Sequence, residues 1–329
     1  MYETTMTKYY QNIGLWLLLS LLITACSKDG ADGNDVTKPN EQTKEIGIKP
    51  DVWKMTEATR ATTYDNTTLQ SGGFKCTVYD AGTATVNTDA NINGTSVIWS
   101  DSRWVFDDGS HYWPTSGSLD FFAYAPQTGS LTTYVSAITY AVNGTPAAAP
   151  YFTCSDLPLS LTPSDATQEF IWALTTGQNR IGQGTSGVTM TFRHPFARVK
   201  FKKSASSSTN VTVTSITIPA IYRDGTCTLT GTGNTATSTW SGLSDGEGNL
   251  GITGSPATSD DTFYLVIPNN YGSKTLSVAI TWKEWDVVHS ETLTAPLTIN
   301  WAAGYSYTYS LTITKNDLKV DIEKFTEQW

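Results

Sequence analysis

The chain has 329 residues and a mass of 35.8 kDa, enough for roughly two domains with sizeable cores. Its net charge of −9 would repel phosphates, which argues against nucleic-acid partners and against membrane attachment through a basic patch. Charged residues are scarce at 16%, aromatic residues reach 12%, and the polar remainder is mostly Ser, Thr, Asn and Gly. This composition indicates an all-β extracytoplasmic protein and excludes helical bundles, coiled coils and doubly wound sheets.

The amino terminus has the pattern of a bacterial lipoprotein signal peptide, which we place at residues 1–25. Residues 13–25 form one apolar run, shorter than the ~20 residues that span a bilayer. The run ends in Ile-Thr-Ala-Cys, which resembles a lipobox, so we predict that Cys26 is acylated and holds the protein at the outer membrane. A plain signal peptide with an incidental cysteine is the alternative.

Residues 26–44 are polar and show no apolar periodicity, which predicts a flexible tether. Their Asp/Gly pattern lacks the closing glutamate of a calcium loop, so a solvated linker is favoured over a metal site.

From residue 45 onward, apolar residues alternate with polar ones, as in strands with one buried face. Leu276, Val278, Ile280 and Trp282 share one face, and the odd-numbered residues of 305–313 share another. A phase shift between Val213 and Ile216 predicts a bulge near residue 215. Residues 263–267 are continuously apolar, which predicts a central strand covered on both faces. Further strands are predicted at 74–79, 103–106, 119–124, 132–142, 170–174, 188–192 and 198–202.

Turn signals separate these strands, and their spacing favours β-sandwiches. We predict an N-terminal domain over 45–186 and a C-terminal domain over 187–329, with the boundary in the glycine-rich stretch 182–187. The turn signals are Asp107-Asp108-Gly109, Asn143-Gly144, Asp224-Gly225 and Asp245-Gly246.

Catalytic motifs are weak, and we predict neither an enzyme nor a metal or cofactor site. The G-x-G-x-x-G matches at 182–187 and 246–251 lack the strand and helix that give this motif its meaning. The three histidines, His111, His194 and His289, lack metal-ligand spacing, and no G-x-S-x-G elbow marks a nucleophile, although sequence alone does not exclude a Ser-His-Asp triad. We interpret His194 as a packed histidine bonded to its neighbours.

One cluster of acidic and aromatic residues has two interpretations. The residues are compatible with sugar binding through ring stacking and carboxylate hydrogen bonds, but core aromatics beside an acidic turn are favoured. The cluster comprises Asp101, Trp104, Asp107, Asp108, Tyr112 and Trp113.

Three cysteines remain if Cys26 is acylated: Cys76, Cys154 and Cys227. They allow at most one intramolecular disulfide with one thiol left over. A buried, unpaired state of all three is the equal alternative.

Several stretches together resemble the fimbrillins, the type V pilus subunits of anaerobic gut and oral bacteria. Each stretch is modest alone, but they follow one another in the family's order along the whole chain. They are Tyr-Trp-Pro at 112–114, Leu-Asp-Phe-Phe-Ala-Tyr-Ala-Pro at 119–126, Gln-Glu-Phe-Ile-Trp-Ala at 168–173, Phe-Arg-His-Pro-Phe-Ala-Arg-Val-Lys-Phe at 192–201, 263–268, Trp-Ala-Ala-Gly-Tyr at 301–305 and 322–329.

The resemblance implies two transthyretin-like β-sandwich domains in tandem, export as a lipoprotein and assembly into a surface fimbria. It also implies cleavage by a trypsin-like protease after an arginine, for which Arg60-Ala61 is the matching site. Ile46, Ile48 and Val52 alternate as a first strand ahead of it, with Pro50 tolerable at an edge. Cleavage would remove that strand and open an apolar groove.

A carboxy-terminal strand is the candidate donor for the same groove on a neighbouring subunit. Leu318, Val320 and Ile322 alternate with charged residues, as an added strand requires. The alternative is that Arg60 is an ordinary linker or strand-end residue and that the carboxy-terminal strand folds back on its own domain.

The expected partners are other fimbrillin subunits, of the same or another kind, and the outer membrane through acylated Cys26 before processing. A host protein or glycan is a further candidate. The alternative function is a lipid-retaining anchor subunit, or a surface adhesin or glycan-binding lipoprotein, of the same fold.

Overall fold

The structure is a computed structural model that describes residues 44–52, 65–127, 134–142, 148–157, 169–183, 187–244, 250–253 and 263–328. These residues form one short helix, α1 (Asn66–Gly72), a 3-10 turn at Gly233–Thr235, and strands throughout. The strands are β1 (Ile48–Val52), β2 (Phe74–Asp80), β3 (Thr95–Ser100), β4 (Arg103–Phe106), β5 (Leu119–Ala125), β6 (Val135–Val142), β7 (Ala148–Cys154), β8 (Ile171–Gln178), β9 (Val188–Phe192), β10 (Ala197–Lys203), β11 (Val211–Ile218), β12 (Asp224–Thr230), β13 (Thr237–Ser244), β14 (Leu250–Thr253), β15 (Tyr264–Val266), β16 (Asn270–Glu284), β17 (Val287–Asn300), β18 (Tyr305–Ile313) and β19 (Leu318–Gln328).

The described strands pair into five sheets, so the all-β prediction is confirmed. A five-stranded sheet has the order β4-β3-β2-β5-β8, and β1 pairs with β9. Three four-stranded sheets have the orders β13-β12-β7-β6, β14-β11-β16-β17 and β15-β10-β18-β19. Within the described residues, no helix is long and apolar enough to cross a bilayer.

Three hydrophobic clusters lie between the sheets. The N-terminal core contains inward side chains of β1, β2, β5 and β9. The C-terminal core is built from β10, β11, β16, β17 and β18. Between them, the middle core joins the opposite face of β5 and β8 to β7, β12 and β15. This alternation arises because successive side chains of a strand point to opposite faces: Phe121 enters the N-terminal core and Phe122 the middle core.

The division into domains at residues 186 and 187 stays a prediction, and two observations bear on its position. Strand β9 follows that boundary, yet Val188, Met190 and Phe192 lie in the N-terminal core. Strands β7 and β12, from opposite sides of the boundary, pair antiparallel, with Cys227 opposite Phe152. Packing therefore assigns β9 to the N-terminal side and links the two halves through the middle core.

The bulge predicted near residue 215 is present, because the register between β11 and β16 shifts between Val213 and Ser215. Both pairs of apolar residues around it remain buried in the C-terminal core. The predicted inward face of β16 is confirmed as well, since Leu276, Val278 and Ile280 belong to the same core.

The prediction of a central strand at residues 263–267 was half wrong. Both faces are covered, since Leu265 lies in the middle core and Tyr264 and Val266 in the C-terminal core. The strand nevertheless lies at the edge of its sheet and pairs with β10 alone among the described strands. A continuous apolar run indicates that both faces of a strand are covered by other residues. It does not indicate whether the strand has a hydrogen-bonded neighbour on each side.

Strand β18 departs from the simple alternation because its polar face is also buried. Its small hydroxyl side chains lie opposite charged ones: Lys200 faces Thr308, and Lys202 and Asp321 face Ser310 from the two sides. The long apolar stem of a lysine covers a small neighbour of this kind.

The predicted turn at Asp224-Gly225 is instead the start of β12. The Asp224 carboxylate accepts a hydrogen bond from the Asp156 backbone N–H at 2.7 Å, and the register shifts here against β13. A Cβ on Gly225 would lie 2.8 Å from the Leu243 side chain. The glycine therefore serves close packing at a bulge. The Asn143-Gly144 and Asp245-Gly246 signals lie outside the described residues.

Candidate strand-exchange site

The amino-terminal segment 44–52 lies in an apolar slot of the N-terminal core, which we call the β1 slot. Inward positions Ile46, Ile48 and Val52 are 2%, 8% and 1% exposed. Lys49 and Asp51, which lie between them, are exposed. The alternation predicted for this segment is thus confirmed, with Pro50 half-buried within the strand.

Backbone hydrogen bonds hold the segment on two sides. Strand β1 runs parallel to β9, with Ile48 opposite Val188 and Val52 opposite Phe192. On the other side, the Ile46 N–H donates to the His111 carbonyl at 2.8 Å, and the Trp113 N–H donates to the Lys44 carbonyl at 2.9 Å. The segment therefore bridges β9 and the stretch around Tyr112, and its loss would leave backbone groups of both without partners.

The approach of β1 to β9 depends on a glycine from the predicted domain boundary. Gly187 has φ +77°, and a Cβ there would lie 2.9 Å from the Gly47 carbonyl carbon. The Val188 N–H donates to the Gly47 carbonyl at 2.8 Å in the same place. A side chain at residue 187 would clash with β1 and occupy an unfavourable backbone region.

Asn66, the first residue of α1, fixes the far end of β1. Its side-chain carbonyl accepts a hydrogen bond from the Val52 backbone N–H at 2.7 Å, and its amide nitrogen donates to the Asp51 carboxylate at 2.7 Å. Asp65 caps the helix by accepting from the Thr68 N–H at 2.9 Å. The side-chain amide of Asn66 therefore forms hydrogen bonds with both a backbone group and a carboxylate of β1.

The predicted lipid and processing residues, Cys26, Arg60 and Ala61, lie outside the described residues, and their roles stay predictions. In chain order the proposed cut falls between β1, which ends at Val52, and α1, which begins at Asn66. Every contact of the β1 slot described above is therefore made by residues upstream of the cut to residues downstream of it.

The predicted donor residues lie on β19, which pairs antiparallel with β18 of the same chain. Leu318 is 8% exposed and belongs to the C-terminal core, Val320 packs against that core from a half-buried position, and Ile322 is 46% exposed. This is the fold-back arrangement. Strand β19 ends the order of its sheet and, among the described strands, pairs with β18 alone.

The acidic and aromatic cluster does not converge on one surface. Trp113 is buried and packs near Phe121, with ring centroids 5.7 Å apart, whereas Tyr112 is exposed. Trp104 is half-buried against Phe74. Asp101 and Asp107 are exposed, and the Asp108 carboxylate lies within hydrogen-bond distance of His111 Nε2, at 2.8 Å. The favoured interpretation, core aromatics beside an acidic turn, describes Trp113 and Trp104.

The three histidines are dispersed. His194 is buried and lies 2.8 Å from the Glu169 carboxylate, which fits the packed histidine that the sequence predicts. His289 stacks on Trp282. In the described part of the chain, no group of three His, Cys, Asp or Glu residues has the geometry of a metal site.

Cys76, Cys154 and Cys227 are free and buried, which is the second of the two predicted alternatives. Burial raises the pKa of the Cys76 thiol to about 12 and raises the pKa values of the Cys154 and Cys227 thiols as well. These thiols are protonated at neutral pH and behave as small core residues.

Sequence reasoning missed the tip of the β16–β17 hairpin. Trp285 and Asp286 form its two-residue loop with φ values of 54° and 64°, and Trp285 is 94% exposed. Such a loop ordinarily takes Asn-Gly or Asp-Gly. The long runs of alternating residues on either side of Trp285 and Asp286 were the sequence pattern that could have predicted this hairpin.

The fimbrillin-like family model matches residues 59–329. The chain belongs to the fimbrillin-like family. Its members are surface-associated fimbrial and cell-adhesion proteins. A search of the curated proteins gave no match.

Solved structures of fimbrial proteins are similar as well. A fimbrial protein from Bacteroides vulgatus is 16% identical, with a TM-score of 0.54 over 86% of this chain and 98% of that one, and it shows the shared fold. A fimbrial assembly protein from Parabacteroides distasonis is 10% identical (TM-score 0.42; 85% and 95% covered). The tip fimbrial protein Mfa3 from Porphyromonas gingivalis is 9% identical (TM-score 0.41; 85% and 99% covered).

The stretches that carried the fimbrillin resemblance prove to be joined in space. Glu169, from the stretch at 168–173, bonds His194 from the stretch at 192–201, and both side chains are buried. Asp120, within 119–126, accepts hydrogen bonds from the Gly82 N–H at 2.8 Å, the Gly177 N–H at 2.7 Å and the Tyr140 hydroxyl at 3.1 Å. These polar residues tie distant segments together, which is a structural role.

Proposed function

We propose that the protein is a structural subunit of a surface fimbria, exported as a lipoprotein through Cys26 and assembled by β-strand donation after cleavage between Arg60 and Ala61. The observation that carries this proposal is the position of β1. It completes the N-terminal core and lies wholly upstream of Arg60, so one cut separates a core strand from the rest of the chain.

The free energy gained by burying the apolar side chains of the β1 segment is large enough to drive assembly. Burying Ile46, Ile48 and Val52 contributes roughly 5–9 kcal/mol in total, at about 1.5–3 kcal/mol for each side chain. Whole domains are stable by only about 5–15 kcal/mol. A subunit that has lost the segment therefore exposes an apolar groove and unpaired backbone groups that a donated strand can satisfy.

The carboxy-terminal strand is the donor. In its own sheet β19 buries Leu318 well, Val320 partly and Ile322 little. The β1 slot encloses its inward positions more completely. Transfer of β19 from an edge to such a slot therefore increases apolar burial, and the strand pattern needed for it is already present.

Before processing, acylated Cys26 holds the precursor at the outer membrane, and after processing the subunit belongs to the fimbrium with other fimbrillin subunits. An anchor subunit differs in retaining Cys26 and its lipid. Mass spectrometry of surface-derived protein distinguishes the two: an amino terminus at Ala61 supports a polymerised subunit, and an acylated Cys26 supports an anchor.

The decisive experiment replaces the processing residue. In cells that express Arg60→Ala, we expect full-length acylated protein in the membrane fraction and no sheared filaments. Arg103→Ala is the matched control, because Arg103 is an exposed arginine downstream of the proposed cut; it is expected to assemble normally. Normal filaments from Arg60→Ala would refute assembly that depends on this cut.

Adhesion is a second candidate, favoured by the hairpin tip. Trp285 projects into solvent with a backbone conformation that few non-glycine residues adopt. Exposed tryptophan is typical of binding hot spots and stacks well on sugars or apolar protein surfaces. If the subunit binds a host protein or glycan through this tip, Trp285→Ala abolishes binding of purified protein to host-cell surfaces, whereas Tyr112→Ala does not.

A further inference from the structure

The first and last strands that the structure describes share one sequence pattern. Strand β1 reads Ile-Lys-Pro-Asp-Val at 48–52, and β19 begins Leu-Lys-Val-Asp-Ile at 318–322. Lysine and aspartate occupy the same two places, and the three other positions are apolar in both. In β1, Ile48 and Val52 face the core, Pro50 is half-buried and the two charged positions face solvent. The match therefore covers both faces of the strand.

The aspartate of this pattern has a defined partner in the β1 slot. Asn66 donates to the Asp51 carboxylate and accepts from the Val52 N–H, each at 2.7 Å. Asn66 lies downstream of Arg60, so it stays with the subunit after the proposed cut. A strand with the same pattern would meet the same amide with Asp321 and the backbone N–H of Ile322.

We propose that residues 318–322 of a second copy of this chain occupy the β1 slot parallel to β9, with Leu318 at the Ile48 position, Asp321 at the Asp51 position and Ile322 at the Val52 position. This inference rests on the proposed function and adds to it the partner and the register. The partner is a copy of the same chain because the chain's own tail reproduces the strand that its own slot is built to hold.

Other placements of the tail fit the slot less well. A shift of two residues toward the amino terminus of the slot places Lys324 at the buried Val52 position. The antiparallel orientation places Lys319, a donor without acceptor capacity, where the Asn66 amide now donates to Asp51. Only the parallel register keeps the apolar residues inward and the charges outward and also gives the Asn66 amide a carboxylate acceptor.

The same register predicts that the uncut chain does not accept a tail. It places Asn316 at the Ile46 position, which is 2% exposed in the intact chain, so the donated strand buries less apolar surface than β1 does. The intact β1 is also tethered next to its slot, which gives it a high effective concentration. Cleavage removes both advantages.

Cysteine pairs test the register in the full chain, with the recognition sequence of a specific protease in place of residues 56–60. Thr189 lies opposite Lys49 in β9, so the proposal places Lys319 of a second copy opposite Thr189. The test pair is Thr189→Cys with Lys319→Cys, and the matched control is Thr189→Cys with Asp321→Cys. A two-residue offset separates Cα atoms by about 8 Å, beyond the reach of a disulfide. The native cysteines Cys76, Cys154 and Cys227 are buried.

After cleavage and mild oxidation, we expect covalent dimers and longer ladders from the test pair, at least tenfold more than from the control, and none from either before cleavage. Crosslinking of the control pair alone, or filaments without crosslinks, overturns the register and leaves strand donation standing. Absence of both filaments and crosslinks after cleavage overturns strand donation itself.

Discussion

Weakening β1 without cutting the chain should loosen the β1 slot by a measurable amount. Ile48 is 8% exposed in the N-terminal core, and replacing a buried isoleucine with alanine costs about 2–5 kcal/mol. Ile48 lies at the start of the strand, so we expect the low end of that range, about 2 kcal/mol, for Ile48→Ala. The free energy of unfolding is measured by urea denaturation of chains that also carry Arg60→Ala, so that the comparison is between uncut proteins.

The matched control is Lys49→Ala, the neighbouring position in the same strand. Lys49 points to solvent, so its removal is expected to change the free energy of unfolding by less than about 0.5 kcal/mol. The same 2 kcal/mol predicts that, after cleavage in a chain with Arg60 intact, the Ile48→Ala fragment dissociates about 30-fold more readily than the unmodified one. Gel filtration of the cleaved complex measures this retention. Equal stability and equal retention of the two variants would refute the assignment of β1 as an energetically important core strand.

Three further outcomes follow from the described contacts. Asp120→Ala leaves two backbone N–H groups without their acceptor and should lower the free energy of unfolding by about 3 kcal/mol, whereas Asp89→Ala, at an exposed turn, should leave the melting temperature unchanged. Burial raises the pKa of the Cys76 thiol from 9.0 to about 12, so between these pH values the folded state keeps a proton that the unfolded state loses. The contribution of this thiol to the free energy of unfolding should therefore be full below pH 9 and fall as the pH rises toward 12. The native protein should also resist alkylation of this thiol at pH 8. Trp285→Asn, which suits the left-handed backbone of the hairpin tip, should preserve or raise stability while removing any host-ligand binding, and unchanged binding would eliminate the tip as an adhesive surface.

Strands with clear apolar alternation were predictable, and those without it were not. The bounds of β4 and β9 were predicted to the residue, and the inward face of β16 follows from its every-second-residue pattern. Strand β13 escaped because Thr-Ser-Thr-Trp-Ser-Gly-Leu-Ser has almost no apolar periodicity, and its position is determined by pairing with β12. The position of such a strand depends on the strands with which it pairs, and a single sequence does not show which strands those are.

The candidate site shows the same limit. The alternation of Ile46, Ile48 and Val52 predicted a strand ahead of Arg60, and the structure confirms that it is buried. Neither the parallel pairing with β9 nor the clamp by Asn66 was visible, because each joins residues far apart or depends on one side-chain orientation. The likeness of 48–52 to 318–322 lies in plain sequence, but it acquires meaning only when β1 is known to fill a slot.

Strand donation also replaces one free edge with another. A subunit that lends β19 uncovers the edge of β18, and Leu318 leaves the C-terminal core. Polymerisation is favourable only if β19 gains more free energy in the β1 slot of a neighbour than it loses on leaving β18 and the C-terminal core. The burial of the two strands supports this order, since Ile48 and Val52 are nearly enclosed, whereas Ile322, the residue that would take the Val52 position, is 46% exposed in its own sheet. The gain at this single position, an isoleucine moving from half-exposure into a closed core, would give the proposed exchange its direction.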